Sequence, residues 1–159
     1  MPHKAIEDFL SEMHSINWFE HSGCPNENYY MVFSLYEACD KWGEQSFAVW
    51  ESQICALEDI AIEKMGDDVI DEVFDTVSAA IGDIVWEKFS AYIDRQHLEE
   101  ESAVSFELFD DIKRDIAWGC IEKILDISGF FTMLIEIYKK GYFPCSWVGI
   151  YPSGQVVVL

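Results

Sequence analysis

Asp67-Asp-Val-Ile-Asp-Glu-Val-Phe-Asp-Thr-Val-Ser-Ala-Ala-Ile-Gly-Asp-Ile-Val-Trp-Glu-Lys-Phe-Ser-Ala-Tyr92 is the stretch on which the fold turns. Ile70, Val73, Phe74, Val77, Ile81, Ile84, Val85, Phe89 and Tyr92 recur every three or four residues, the spacing of one helix face. Asp68, Asp71, Glu72, Asp75 and Asp83 gather on the opposite side with the small Ala79. This separation predicts an amphipathic helix over 67–97, with one face for the core and one for water. Two residues sit off the pattern. Lys88 falls on the apolar stripe, where its stem can pack while its amine reaches solvent, and Trp86 falls among the carboxylates.

Upstream, Tyr29, Val32, Phe33, Tyr36, Cys39, Gly43, Phe47, Trp50, Ile54, Leu57, Ala61 and Met65 keep helical phase across Gly43, so one long helix is expected over about 28–65. Gly66 is its stop and Asp67 the N-cap of the next helix, a connection short enough to force the two helices antiparallel. Nearer the N-terminus, Ile6, Phe9, Leu10, Met13 and Ile16 predict a short helix over 2–19. A loop through Gly23 and Pro25 separates it from the long one.

Downstream, Glu99, Glu100 and Glu101 mark a solvated loop, after which Ser105 caps a third stripe. It runs Phe106, Phe109, Ile116, Ala117, Cys120, Ile124, Ile127, Phe131, Leu134, Ile135, Tyr138 and keeps phase past Gly129, which falls near the outer face. A helix to Lys140 with a stop at Gly141 follows. Beyond it the pattern changes: Trp147–Tyr151 and Gln155–Leu159 read as two strands about Pro152-Ser-Gly154. An isolated hairpin is marginal in water, so this one must pack on the helices. The expected architecture is mainly α, a single domain over residues 1–159. Three long helices and a short N-terminal helix form an antiparallel bundle, closed by a C-terminal β-hairpin over about 146–159.

The totals agree with one globular core, since half of the 159 residues are apolar and 15% aromatic. Thirty acidic residues against ten basic ones leave a formal net charge of −20. That excess disfavours nucleic acid and anionic membranes and attracts basic proteins or cations. The five cysteines are odd in number, widely spaced and contain no C-x-x-C pair, as expected of free thiols in a reducing cytosol. The N-terminal residues lack the apolar core of a signal peptide, and no uncharged run is long enough for a membrane span.

Few constellations carry chemistry. Asp94 and His97 have a spacing found in carboxylate-bridged metal centres, but such a centre needs a second pair and two more inward Glu. His14, His21 and Cys24 could give three zinc ligands, and a fourth at a recognisable spacing is missing. Cys145 follows a helix C-terminus, whose dipole disfavours a thiolate, so packing is its expected role. No nucleophile elbow, phosphate loop or dinucleotide fingerprint is present. No catalytic residue, metal or cofactor is therefore expected, and the protein reads as non-enzymatic.

What remains is the acid. Asp68, Asp71, Glu72, Asp75 and Asp83 of the 67–97 helix are joined by Glu107, Asp110, Asp111 and Asp115 on the next, and the imbalance of twenty charges exceeds the roughly two to eight that solubility asks of a small domain. Asp68, Asp71, Glu72, Asp75, Asp83, Glu107, Asp110 and Asp111 are the candidate surface for a basic protein partner. The tail Gly141-Tyr-Phe-Pro-Cys-Ser-Trp-Val-Gly-Ile-Tyr-Pro-Ser-Gly-Gln-Val-Val-Val158 resembles a C-terminal pattern of small bacterial cytoplasmic proteins. That pattern reads Pro-Cys-Gly-Trp, then Gly, then aromatic-Pro-x-Gly before an apolar strand, and Ser146 stands here in place of its Gly. Small acidic proteins of this kind resemble immunity proteins, which bind and block a cognate toxin, and the resemblance implies such a partner. The rival readings are a homodimeric assembly module and a carboxylate-bridged metal enzyme.

Overall fold

The computed structural model describes residues 3–20, 28–33, 37, 44–95 and 102–159. Of the loop expected over 21–28, residues 21–27 with His21 and Cys24 lie outside them, as do Cys39, His97 and the expected loop residues Glu99, Glu100 and Glu101. Five helices are described: α1 (His3–His14), α2 (Glu44–Met65), α3 (Asp67–Arg95), α4 (Ser102–Ile124) and α5 (Phe130–Lys139). Three short strands accompany them, β1 (Tyr29–Met31), β2 (Pro144–Val148) and β3 (Gln155–Val158).

The helix over the decisive stretch forms as its periodicity requires. Ile70, Val73, Val77, Ile81, Val85, Phe89 and Tyr92 are buried, Phe74 and Ile84 are partly buried, and Lys88 is exposed. Gly66 stops α2 in a left-handed conformation (φ +85°) that an L side chain resists. Its carbonyl also accepts the Ile70 amide, so α3 starts at once and Asp67 is its first residue rather than its N-cap. Trp118 packs edge-on against Phe74, and Phe109 edge-on against Trp86 near the other end of α3, so α3 and α4 run antiparallel. α1 lies across both, burying Ile6, Phe9 and Met13, while α2 touches α3, α4 and β2.

Three expectations are corrected. The helix expected over 28–65 does not start at 28: Tyr29–Met31 is a strand, while Glu37 is helical and α2 runs over Glu44–Met65. Tyr29 and Met31 face inward and Tyr30 outward, a period of two that a helical count over the same residues hides. The third helix begins at Ser102, so Ser105 lies inside it. It also ends at Ile124, and α5 starts afresh at Phe130.

That break has a local cause. Asp126 is left-handed (φ 56°), and Gly129 occupies the N-cap of α5 with no capping side chain of its own. The cap comes from α4: the Glu122 carboxylate accepts the Thr132 amide at 2.6 Å and its hydroxyl at 2.8 Å. A Cβ at position 129 would overlap that carboxylate. Gly129 is therefore packed against Glu122, not on an outer face.

The tail joins a three-stranded sheet of order β1-β3-β2. β3 is central, antiparallel to β2 and parallel to β1, with Tyr29 opposite Val156 and Met31 opposite Val158. This explains the unbroken valine run, since Val156, Val157 and Val158 are all buried. Ser46 of α2 closes the other edge of β2, accepting the Trp147 amide at 3.1 Å and donating to the Trp147 carbonyl at 2.9 Å. The first strand of the tail thus starts at Pro144 and ends at Val148, earlier than the expected Trp147–Tyr151.

Candidate partner-binding surface

The eight expected carboxylates fall into two groups. Asp68, Asp71, Glu72 and Asp75 occupy the first turns of α3 at spacings of three and four, where the positive helix end favours them. Asp68, Asp71 and Asp75 are exposed, and Glu72 is half-buried beside His3, whose Nε2 lies 3.2 Å from its Oε1. Asp83 stands eight residues further on than Asp75, about 12 Å along the axis. The Trp86–Phe109 contact puts it at the level of Glu107, Asp110 and Asp111 on the antiparallel α4. One continuous acidic face is therefore not formed; an upper and a lower acidic patch are.

The α4 carboxylates are partly neutralised. Asp110 pairs with Lys113 at 3.1 Å, and Asp111 accepts Arg114 Nη1 at 3.1 Å. Burial pushes the Asp111 carboxyl above its ordinary range against the pull of Arg114, with Asp110 and Glu107 adding to the rise. Asp83 and Glu107 are exposed, without an ion pair among the described residues.

Asp115 is a different matter. It is buried, and three donors converge on its Oδ1: Arg114 Nε at 3.3 Å, Arg114 Nη2 at 3.2 Å and Trp50 Nε1 of α2 at 3.2 Å. Desolvation raises its carboxyl to about 7, opposed by Arg114. The Tyr138 hydroxyl, also buried, finds no hydrogen-bond partner among the described residues, and burial followed by the nearby Asp115 and Asp111 charges pushes its pKa well up. Asp115 thus leaves the surface cluster: it is buried, paired with the partly exposed Arg114 within α4, and tied to α2 by the Trp50 indole N–H. Its signal in the sequence is its place with Glu122 on the Ile112, Ile116, Gly119 side of the helix, where both carboxylates are buried.

Cations are scarce, and two converge elsewhere. Glu12 of α1 holds Lys123 of α4 at 2.6 Å and Lys139 of α5 at 2.9 Å, and Lys139 also reaches Glu136 at 3.2 Å. Hydrogen bonds from Lys123 and Lys139 hold the Glu12 carboxyl below its usual range. The triad borders a cleft of about 240 Å³ that includes Phe9, Gly119, Ser128 and Thr132. Its three charges tie α1 to the α4–α5 corner.

The remaining candidates are quickly placed. Cys145 is half-buried with its thiol donating to the Val157 carbonyl at 3.3 Å, and burial lifts the Cys120 thiol to about 12. Among the described residues, no three His, Cys, Asp or Glu side chains gather as a metal site requires, and no helix is long and apolar enough to cross a membrane. Trp86 stays 42% exposed among the acids, as its off-pattern position implies. No family model, curated protein or solved structure matches the chain.

Proposed function

We propose that this chain is a non-enzymatic binding protein, an immunity-type inhibitor whose carboxylates meet a basic surface on a toxin. The observation that carries the reading is the exposed row Asp68, Asp71 and Asp75 on one helix, in a chain with a net charge of −20. Such a field speeds encounter with a basic partner and rejects acidic competitors. A reducing cytoplasm suits the thiols at Cys55, Cys120 and Cys145. The sheet serves in this reading as a lid that closes the helical bundle.

The test is a calorimetric titration of the purified protein with the product of the gene beside its own. A one-to-one complex is expected, weakened at least about tenfold in the variant Asp68→Asn, Asp71→Asn, Asp75→Asn. No complex, or equal affinity for the neutralised variant, contradicts the proposal.

A further inference from the structure

The cleft of about 240 Å³ between α1, α4 and α5 combines an apolar floor with charges of both signs. Phe9 and Ile135 are buried in its lining and Ile127 is half-buried. Benzene enters an engineered protein cavity of roughly 150 Å³, so this space admits a phenyl or branched aliphatic group with a few polar atoms beyond it. Lys123 and Lys139 line the same cleft, two of only ten basic residues in the chain.

These lysines are not used up by the carboxylates that hold them. Lys123 donates to Glu12 Oε2, and Lys139 donates to Glu12 Oε1 and to Glu136 Oε1. An ammonium carries more donors than these bonds consume, so both can serve a further acceptor. Glu12 shows what the pair takes: one carboxylate, an oxygen to each ammonium, at 2.6 and 2.9 Å. Ser128 and Asp126 are exposed on the same lining, and among the described residues the Ser128 hydroxyl has no hydrogen-bond partner and the Asp126 carboxylate no ion pair. Asp126 is held left-handed (φ 56°) with its amide on the Lys123 carbonyl at 3.1 Å. A carboxylate and an ammonium therefore leave the chain one turn apart, and the ammonium is drawn to Glu12 rather than to Asp126.

Charge decides the class of ligand. A bare anion entering the cleft works against the field of twenty excess negative charges, and a bare cation leaves the lysine donors unanswered. A molecule bearing both charges on one carbon is neutral overall and answers both. We propose that the cleft binds a free apolar α-amino acid, its carboxylate on Lys123, Lys139 and Ser128, its ammonium on Asp126 and its side chain on Phe9, Ile127 and Ile135. The site stands apart from the acidic-partner reading, since none of these residues belongs to either acidic patch.

L-phenylalanine, 3-phenylpropionate and L-phenylalaninamide share a ring and differ in which charges they carry. They are titrated by calorimetry at about pH 6, which keeps the amines charged, and about 0.15 M salt, which screens long-range attraction. L-phenylalanine should bind at one site and at least about tenfold more tightly than either analogue, the worth of one hydrogen bond to a charged group. L-serine, with no apolar side chain, should also bind more weakly than L-phenylalanine. Asp126→Asn, whose side chain tolerates the left-handed backbone, should remove the advantage over 3-phenylpropionate. Lys123→Gln should remove the advantage over the amide. Thermal unfolding shows that each variant is folded, and Lys139→Gln takes the place of Lys123→Gln where the latter is not. No saturable binding of L-phenylalanine, equal binding of the three compounds, or an advantage that survives in either variant overturns the proposal.

Discussion

At the scale of single residues, the most consequential side chain is Asp115. Its carboxyl is raised from an ordinary 3.8 to about 7 by burial, so the folded state holds a proton that the unfolded chain has released. Stability from this group is fully present below about pH 4 and is lost as pH rises through 7, by on the order of 4 kcal/mol. Asp115→Asn keeps an oxygen for Trp50 Nε1 and cannot titrate. The variant should therefore gain on the native chain as pH rises from 4 to 8 in urea unfolding. A stability difference that stays constant over that range contradicts the assignment. Glu12 has the opposite sign: its depressed carboxyl stabilises the fold above about pH 4.5, and that contribution fades as pH falls through the folded value.

At the scale of elements, the corner between α4 and α5 is held by a cap borrowed from another helix. Glu122→Ala removes the acceptor of the Thr132 amide and hydroxyl and should cost roughly 1–3 kcal/mol. Gly129→Ala, which drives a methyl into the same carboxylate, should destabilise by a similar amount, both read from the urea midpoint. In the sheet, Trp147 is buried, with its indole N–H donating to Ser153 at 3.1 Å and its ring edge-on to Tyr151. Trp147→Ala should cost about 3–5 kcal/mol, and an unchanged thermal midpoint would show that the sheet is not a packed part of the fold. These elements were legible in the sequence to unequal degrees. The α3 stripe could be read because its burial is set by its own period. The α4–α5 break could not: the stripe from Cys120 to Phe131 stays in phase across five non-helical residues, and the cap that fixes the break is a tertiary contact. Tyr29–Met31 hid for a related reason, since a three-residue strand exists only through its pairing with Val156–Val158, more than a hundred residues away.

At the scale of the whole molecule, charge dominates. Thirty acids face ten bases, and several of the bases are engaged internally: Arg114 at Asp111 and Asp115, Lys123 and Lys139 at Glu12, and Lys113 at Asp110. The outward field is therefore strongly negative. Of the expected surface, Asp68, Asp71, Asp75, Asp83 and Glu107 were legible as exposed acids from helical phase alone. Their division into two patches was not, because it depends on the antiparallel register of α3 on α4. The partnership of Asp115 with Trp50 was equally hidden, resting on side chains 65 positions apart. The central claim is that this field recruits a basic protein, and the most direct measurement is the association rate with the neighbouring gene's product across a salt series. The rate should fall steeply as screening shortens the Debye length from about 30 Å near 0.01 M salt to about 3 Å near 1 M. It should fall much less in the Asp68→Asn, Asp71→Asn, Asp75→Asn variant. A slow association that is indifferent to salt in the native chain would contradict the account.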